Sequence, residues 1–262
     1  MMNTGTQPLP YGKFAALYDR LMAQVDYQAW GEYLQQLLQQ AGAEAGARVL
    51  DCACGTGEIT LRLCQAGYQL TGLDASLDML QIAQEKSRLA GLRIPFIQQD
   101  MRRIALHRPV DAIVCACDGV NYLTAMGDVR AFFRAAHAAL KPSGVLLFDI
   151  SSRYKLSHIL GDHLFGEDQE DCAYLWQNIY DPQNHLCEMQ LTFFQRQGTL
   201  YERFCERHVQ RAHSARELIT ALESSGFGQV QVYEAFTQSS PGPQAERLQF
   251  TARPATILEQ DA

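Results

Sequence analysis

The sequence predicts an α/β fold in which helices cover both faces of a parallel β-sheet and an antiparallel β insertion interrupts the chain. Between residues 48 and 150, short apolar segments alternate with amphipathic ones, as in a sheet buried on both faces. After residue 150 the pattern changes to three strand-like segments joined by turn sequences. One helix-like and two strand-like segments then follow. A length of 262 residues accommodates one core domain plus the insertion.

The core elements follow from the apolar runs and the helix-boundary signals. Strands are predicted at 48–53, 68–74, 93–99, 110–117 and 145–150, and helices at about 58–66, 77–90 and 129–140. The sequence Lys141-Pro142-Ser143-Gly144 ends the last of these helices. An acidic residue stands at the end of each strand, where parallel sheets bind their ligands. These residues are Asp51, Asp74, Asp100, Asp118 and Asp149.

The insertion and the flanking elements are defined by turn signals. Strands are predicted at 172–180, 185–194 and 200–209, because an Asp-Pro-Gln-Asn turn and a Gln-Gly turn separate them. A helix at about 214–225 and two strands at 228–236 and 245–253, paired antiparallel, complete the core, and residues 14–40 predict two amphipathic helices. The expected organisation is N-terminal helices covering the site over 1–44, a ligand-binding core over 45–150, a β lid over 151–213 and the rest of the core over 214–262.

Composition and charge disfavour several classes of protein. The formal net charge is -7 and the pI is about 5.5, whereas a general nucleic-acid binder needs a basic surface. No apolar run approaches the ~20 residues that span a bilayer, and no signal-peptide core is visible, so a cytoplasmic protein without a membrane partner is expected. The eight cysteines contain no CxxC pair, and Asp118 and Asp149 lack a third ligand, so no metal is predicted. The choice between monomer and homodimer stays open.

The turn after the first strand, VLDCACGTG, brings the backbone close to a ligand. Gly55, Gly57 and Thr60 occupy the three glycine positions of a dinucleotide motif, so the third glycine is missing. The Lys-Ser/Thr pair of a phosphate-binding P-loop is also missing. Asp51 would repel a pyrophosphate but attract an ammonium or sulfonium group. A cationic ligand is therefore expected, although Asp51 could equally cap the glycine turn.

The second strand ends at Asp74, which could accept both hydroxyls of a ribose in charge-assisted bonds of about 1.5–3 kcal/mol each. Met79 lies one helical turn further on, and Asp100-Met101 closes the third strand. Two apolar side chains around a flat ring, with an acid near an exocyclic amine, would form an adenine pocket. There are simpler structural alternatives. Asp74 could cap a helix, Asp100 could start a turn, and Met79 could pack in the core.

The four segments VLDCACGTGEIT, LTGLDASLDML, QQDM and CACDGVNYL resemble, in order and spacing, the motifs of class I S-adenosylmethionine (SAM)-dependent methyltransferases. The resemblance covers roughly residues 45–150. YGKFAALYDRLM, FDISSRYKL and WQNIYDPQNHLCEMQLTFF further resemble a bacterial group related to small-molecule methyltransferases, including sugar N-methyltransferases. The resemblance implies a Rossmann-like seven-stranded methyltransferase sheet with a final antiparallel strand, SAM as cofactor and S-adenosylhomocysteine as product. The predicted cofactor-binding residues are Tyr11, Asp51, Ala53, Cys54, Gly55, Gly57, Asp74, Ala75, Met79, Asp100, Met101, Ala116 and Cys117.

The acceptor side offers less specific signals. Methyl transfer from a sulfonium is an in-line displacement, so the protein mainly positions the acceptor and excludes water, and no catalytic residue is assigned. By the resemblance, Tyr11 and Tyr18 would cover the SAM site. The candidate acceptor-binding residues are Tyr18, Asp118, Asn121, Tyr122, Arg153, Tyr154, Trp176, Tyr201, Arg203 and His208.

The last predicted strand of the lid has two mixed faces. One carries Tyr201, Arg203, Cys205 and Arg207, and the other carries Glu202, Phe204, Glu206 and His208. One hypothesis is that the arginines hold an anionic group of the acceptor; the alternative is that they are solvated charges paired with glutamates. His208 could be a general base or a structural histidine.

Other functions remain to be weighed against a small-molecule methyltransferase. An RNA or protein methyltransferase is disfavoured by the acidic charge and by CACDGVNYL, which stands where an Asn/Asp-Pro-Pro-Tyr turn would be. A non-catalytic SAM-binding regulatory protein would bind the cofactor without turnover. A nicotinamide oxidoreductase is disfavoured by the missing third glycine.

Overall fold

The computed structural model describes residues 15–255, which form six helices and eleven strands. The helices are α1 (Ala15–Leu21), α2 (Tyr27–Gln40), α3 (Glu58–Gln65), α4 (Leu77–Leu89), α5 (Met126–Ala139) and α6 (Ala215–Glu223). The strands are β1 (Arg48–Cys52), β2 (Gln69–Asp74), β3 (Phe96–Gln98), β4 (Val110–Cys115), β5 (Leu140–Ser151), β6 (Leu164–Gln169), β7 (Cys172–Asp181), β8 (Leu186–Gln197), β9 (Leu200–Arg211), β10 (Phe227–Glu234) and β11 (Arg247–Pro254).

The core is a seven-stranded sheet with the order β10-β11-β5-β4-β1-β2-β3. The strands β1 to β5 pair in parallel, whereas β11 runs antiparallel to both β5 and β10. This confirms the predicted seven-stranded sheet with a final antiparallel strand. The chain order reverses between β1 and β4, and in sheets of this type a ligand binds beyond the strand ends at that point.

Helices cover both faces of the sheet. On one face α5 and α6 bury an aromatic cluster in which Phe148 of β5 stacks on Phe250 of β11 at 4.6 Å between ring centroids. On the other face, Leu34 and Leu38 of α2 are buried in a cluster with side chains of β1, β4 and β5. Each fully buried side chain of this size stabilises the fold by about 1.5–3 kcal/mol. The sheet is therefore packed on both faces by buried apolar side chains.

The inserted lid is a separate antiparallel sheet with the order β6-β7-β8-β9. Three of its strands match the sequence prediction, but β6 was not predicted, because five of its six residues are exposed and no apolar alternation marks it. The inner face of the lid buries Phe193 and Met189, and it packs with Leu17 of α1 and Leu156. The lid and α1 thus approach each other above the sheet edge.

Some boundaries differ from those that the sequence predicts. The strand β5 begins at Leu140, ahead of the predicted residue 145, and a register shift against β4 accommodates the extra residues. Short helical turns at Met101–Arg103 and Gly119–Tyr122 and a π-helical segment at Lys155–Leu160 were not predicted. No helix within residues 15–255 has the length and apolar character needed to cross a membrane.

Candidate active site

A cavity of about 330 Å³ opens at the carboxyl ends of β1, β2 and β4. It lies where the strand order reverses, between β1 and β4, which is the usual position of a ligand site in sheets of this type. The predicted cofactor-binding residues on its wall are Asp51, Ala53, Cys54, Gly55, Asp74, Ala75, Met79, Asp100, Met101, Ala116 and Cys117. Tyr11 lies outside the described residues. Strand ends and their following turns therefore bring together most of the set that the sequence predicts.

The glycine turn adopts backbone conformations that favour glycine. Gly55 has φ 53° with open space where a side chain would be, so its backbone faces the cavity closely. Gly57 has φ 81° and begins α3, and a Cβ placed there would lie 3.0 Å from the Ala83 side chain of α4. Gly57 is not part of the cavity wall. Its position serves the close packing of α3 on α4.

Asp74 links the two turns that flank the cavity. Its carboxylate accepts hydrogen bonds from the backbone N–H of Gly55 at 2.9 Å and of Ser76 at 2.8 Å. Ser76 itself caps α4 by accepting from the N–H of Met79, so the alternative of Asp74 as the cap does not hold. Burial raises the pKa of Asp74, which these donors partly offset. A carboxylate has about four acceptor sites, so this one can still accept ligand hydroxyls.

Asp51 is a deeply buried acid on the cavity wall. It is 1% exposed and accepts a hydrogen bond of 2.5 Å from the Thr60 hydroxyl inside α3. Burial raises its pKa to about 7, and the negative charge of Asp74 contributes in the same direction. No side chain caps the first turn of α3. Asp51 is thus a cavity carboxylate whose ionisation a nearby cation would favour.

The Asp100 carboxylate is paired with the guanidinium of Arg102. It caps the turn at Met101–Arg103 by accepting from the N–H of Arg102, and both of its oxygens accept from the Arg102 guanidinium. The same guanidinium lies 3.0 Å from Asp128 of α5. Arg102 and Asp128 belong to the cavity wall, and the sequence motifs did not indicate either of them.

The N-terminal helices cover the cavity. Tyr18 of α1 and Tyr27 of α2 line it, and burial raises the pKa of both phenols. Asp19 fastens α1 in place, because it accepts from the Thr56 hydroxyl at 2.5 Å and from the Lys86 ammonium at 2.9 Å. Thr56 belongs to the glycine turn, so α1 is bonded directly to the wall of this cavity.

A second cavity of about 300 Å³ lies between the sheet edge and the lid. It shares Tyr18, Tyr27, Cys117 and Tyr122 with the first, so the two cavities meet there. The predicted acceptor-binding residues that line it are Tyr18, Asp118, Tyr122, Trp176 and His208. The wall residues that the sequence did not indicate include Tyr27, Trp30, Lys155, Gln210 and Arg247.

Other predicted acceptor-binding residues lie elsewhere. Tyr201 and Arg203 are exposed on the outer face of β9, whereas His208 and Gln210 are buried on the inner face. Alternation along β9 places these residues on opposite faces of the strand. The sequence therefore predicted correctly which residues share a face, but not which face is buried. Arg203 is not on the wall of either of these two cavities.

Three more candidates have structural contacts. Asn121 is fully buried, and its side-chain amide bonds to backbone atoms of Ser151 and Arg211. Arg153 lies beside Glu217 at 3.5 Å, and Tyr154 stacks on a histidine in the next helical turn. None of these three residues lines either of the two cavities.

A buried charge cluster forms one wall of the second cavity. The guanidinium of Arg247 bonds to Asp149 and to Asp118, the latter at 2.9 Å, and lies 4.8 Å from the ring centroid of Trp30. Gln210 donates to the other oxygen of Asp118 at 2.7 Å. Burial alone would raise the pKa of Asp118, but Arg247 and Gln210 together hold it below its usual value.

His208 and Tyr122 meet where the two cavities join. The Tyr122 hydroxyl lies 3.3 Å from Nδ1 of His208. Burial lowers the pKa of His208 to about 4, so its imidazole is neutral near pH 7. No cluster of three or more His, Cys, Asp or Glu side chains that could hold a metal occurs in the described part of the chain.

Comparison with known proteins agrees with this geometry. A family model described as a methyltransferase domain matches residues 49–144. YqeM of Bacillus subtilis (strain 168), a methyltransferase-family protein, is 38% identical over 249 residues, which span 95% of this chain and 98% of YqeM.

Solved structures extend the comparison to the whole fold. An S-adenosylmethionine-dependent methyltransferase from Clostridium acetobutylicum ATCC 824 has a TM-score of 0.84 at 32% identity, covering 94% of this chain and 99% of that one. The sugar N-methyltransferase KedS8 from Streptoalloteichus sp ATCC 53650 shares the fold, with a TM-score of 0.77 at 20% identity and 97% coverage of both chains. On this evidence, the chain belongs to the class I SAM-dependent methyltransferases.

Proposed function

We propose that this methyltransferase acts on a small-molecule acceptor held in the second cavity, with SAM in the first. The observation that carries the proposal is that the two cavities meet at Cys117 and Tyr122. A second cavity of about 300 Å³ suits a small molecule. The sugar N-methyltransferase KedS8, whose fold this chain shares, also supports an acceptor of this class.

The residues of the first cavity fit SAM. Asp74, at the end of β2, would accept the ribose hydroxyls while it holds the glycine turn. Met79 and Met101 would pack against the adenine ring, and Asp51 would neutralise a cationic part of the cofactor. When bound, SAM supplies an activated methyl group with a neutral leaving group.

The protein's own contribution is positioning and exclusion of water. Tyr18 of α1 and Tyr27 of α2 close the cavities from the N-terminal side, and Asp19 holds α1 in place. An acceptor that must lose a proton would find the neutral imidazole of His208 and the Tyr122 hydroxyl nearby. An acceptor that attacks through a lone pair on a neutral nitrogen needs no base.

Calorimetric titration with SAM, S-adenosylhomocysteine and NAD tests the cofactor assignment. We expect micromolar SAM binding, loss of that binding in Asp74→Ala, and no binding of NAD. Asp111→Ala is the matched control, because Asp111 lies near the start of β4, at the opposite edge of the sheet. Equal SAM binding by Asp74→Ala and the wild-type protein would refute the assigned orientation of the cofactor. A cytoplasmic location and a monomeric or homodimeric state stay predictions from the sequence.

A further inference from the structure

Lys155 points to the chemical class of the acceptor. It lies in the π-helical segment that follows β5, and its side chain is part of the wall of the second cavity. The side chain is only 27% exposed. A lysine ammonium is strongly hydrated, so placing it against a largely apolar cavity costs free energy unless a partner compensates.

Within residues 15–255, the charged neighbours of Lys155 do not supply a close partner. Glu246 lies 3.9 Å away, and its own side chain is 58% exposed, which makes this a weak, solvent-screened pair. Asp118 uses one oxygen for Arg247 and the other for Gln210, and Asp149 is bonded to Arg247.

The pKa of Lys155 reflects this environment. Burial lowers it, and the neighbouring Arg247 guanidinium lowers it further. Asp118, Glu246 and Asp149 raise it, but they do not restore the ordinary value. A further negative charge in the cavity would favour the ammonium form and remove part of the cost of its burial.

Most of the cavity wall near the lid is apolar, apart from His208 and Gln210 of β9. Leu160, Met189, Leu191 and Phe193 line it, with aromatic rings from both N-terminal helices and from the lid. A ligand that fills this space must therefore bring an apolar body as well as any charged group.

We propose that Lys155 binds an anionic group, a carboxylate or a phosphate, of an acceptor whose remaining body is apolar. This inference rests on the proposed function, in which the second cavity is the acceptor site. The role considered for the lid arginines is thereby assigned to a lysine that lines the cavity. An acceptor's cationic group would be repelled by Lys155, whereas the charge of Arg247 is already balanced by Asp118 and Asp149.

Intrinsic fluorescence provides a direct test, because the chain has two tryptophans and both line this cavity. Benzoate and phenyl phosphate serve as anionic probes, benzyl alcohol as the neutral probe and benzylamine as the cationic probe. Each is titrated at constant ionic strength, with and without saturating S-adenosylhomocysteine. The variants are Lys155→Met, which keeps the length but removes the charge, and Lys155→Arg, which keeps the charge. Lys141→Met is the control, because Lys141 pairs with Asp111 at the far edge of the sheet.

We expect at least one anionic probe to bind about tenfold more tightly than benzyl alcohol, as one charge-assisted contact predicts. The preference should vanish in Lys155→Met, survive in Lys155→Arg and stay unchanged in Lys141→Met. A carboxylate and a phosphate acceptor are distinguished by which of the two anions binds better. Benzylamine should bind most weakly.

Three results would overturn the proposal: equal binding of anionic and neutral probes, an anion preference that persists in Lys155→Met, or no saturable response to either anion. Calorimetry of S-adenosylhomocysteine binding separates this failure from failure of the proposed function. Lys155→Met should bind S-adenosylhomocysteine like the wild-type protein, because Lys155 is not on the wall of the first cavity. If the wild-type protein did not bind S-adenosylhomocysteine, the cofactor assignment would fail, while the titrations without it would still decide the role of Lys155.

Discussion

Replacing Asp51 by asparagine should stabilise the ligand-free protein and weaken its binding of SAM. The carboxyl group is fully buried, and burial raises its pKa from 3.8 to about 7. Between these two values the folded protein holds a proton that the unfolded chain has released. The stability of the folded protein therefore falls as the pH rises between these values, and the whole loss is present above pH 7. At 1.36 kcal/mol per pKa unit, a difference of about three units corresponds to about 4 kcal/mol at pH 8.

The measurement is urea unfolding of the wild-type protein and Asp51→Asn at pH 8 and pH 5. The variant should be more stable by up to about 4 kcal/mol at pH 8 and by less than half of that at pH 5, where the folded wild-type carboxyl is already protonated. Asp111→Asn is the control, and its change in stability at pH 8 should have the opposite sign. Hydrogen bonds from Lys141 and Arg48 outweigh burial and lower the pKa of Asp111, so its neutralisation should destabilise the protein at pH 8.

SAM binding should change in the opposite direction to stability. Loss of one charged contact to a cationic ligand predicts affinity at least about tenfold weaker in Asp51→Asn at pH 8. Wild-type affinity should rise with pH through 7 more steeply than the affinity of the variant. A variant that is no more stable than the wild-type protein at pH 8, or that binds SAM equally well there, would refute the assignment of Asp51 as a destabilising, cation-binding acid.

Three further predictions concern the contacts of Asp19 that hold α1 in place (the latch), the glycine turn and a buried histidine. Asp19→Ala removes the bonds from Thr56 and Lys86, so SAM should dissociate several-fold faster in stopped-flow chase experiments; an unchanged rate would exclude a latch. Gly57→Ala places a Cβ 3.0 Å from Ala83 at a positive φ, so urea unfolding should show a loss of about 1–3 kcal/mol, and a neutral result would contradict the packing argument. Burial lowers the pKa of His213 to about 4, so the unfolded chain takes up its proton first as the pH falls below 6.5. His213→Gln should therefore lose about 3 kcal/mol less stability than the wild-type protein between pH 7 and pH 4, and an equal loss would show that this histidine does not govern the acid transition.

The wall of the first cavity was largely predictable from the sequence because its residues are local to strand ends. Each parallel strand places its last residues at the same edge of the sheet, so Asp51 and Asp74 could be brought together without knowledge of the tertiary structure. Arg102 shows the limit of this reasoning. Its guanidinium joins Asp100 to Asp128, a partner on a helix that begins after β4, and no motif marks that pairing.

The acceptor side was less predictable because it is assembled from distant segments. Alternation along β9 shows that Arg203 and His208 lie on opposite faces, but both faces carry polar residues, and only the packing of the lid determines which face is buried. The strand β6 lacks an apolar pattern altogether, because it is an exposed edge strand. Lys155 follows the predicted candidates Arg153 and Tyr154 directly, and it is the one of these three that reaches the cavity wall.

The turn between the two cavities depends on the last strand of the fold. Cys117 and Asp118 have φ of 60° and 56°, a conformation that costs about 1–3 kcal/mol per residue outside glycine. Asp149 offsets this cost by accepting both of their backbone N–H groups, at 2.8 and 3.1 Å.

The Asp149 carboxylate is itself buried, so burial raises its pKa, and it needs a cation. Arg247 provides that cation from the first position of β11. Because β11 runs antiparallel to β5, its first residue pairs with Ser151 at the ligand edge of the sheet. A parallel strand in the same place would put its last residue there. The antiparallel strand that distinguishes this sheet from a fully parallel one thus brings a C-terminal arginine to the junction where the methyl group would be transferred.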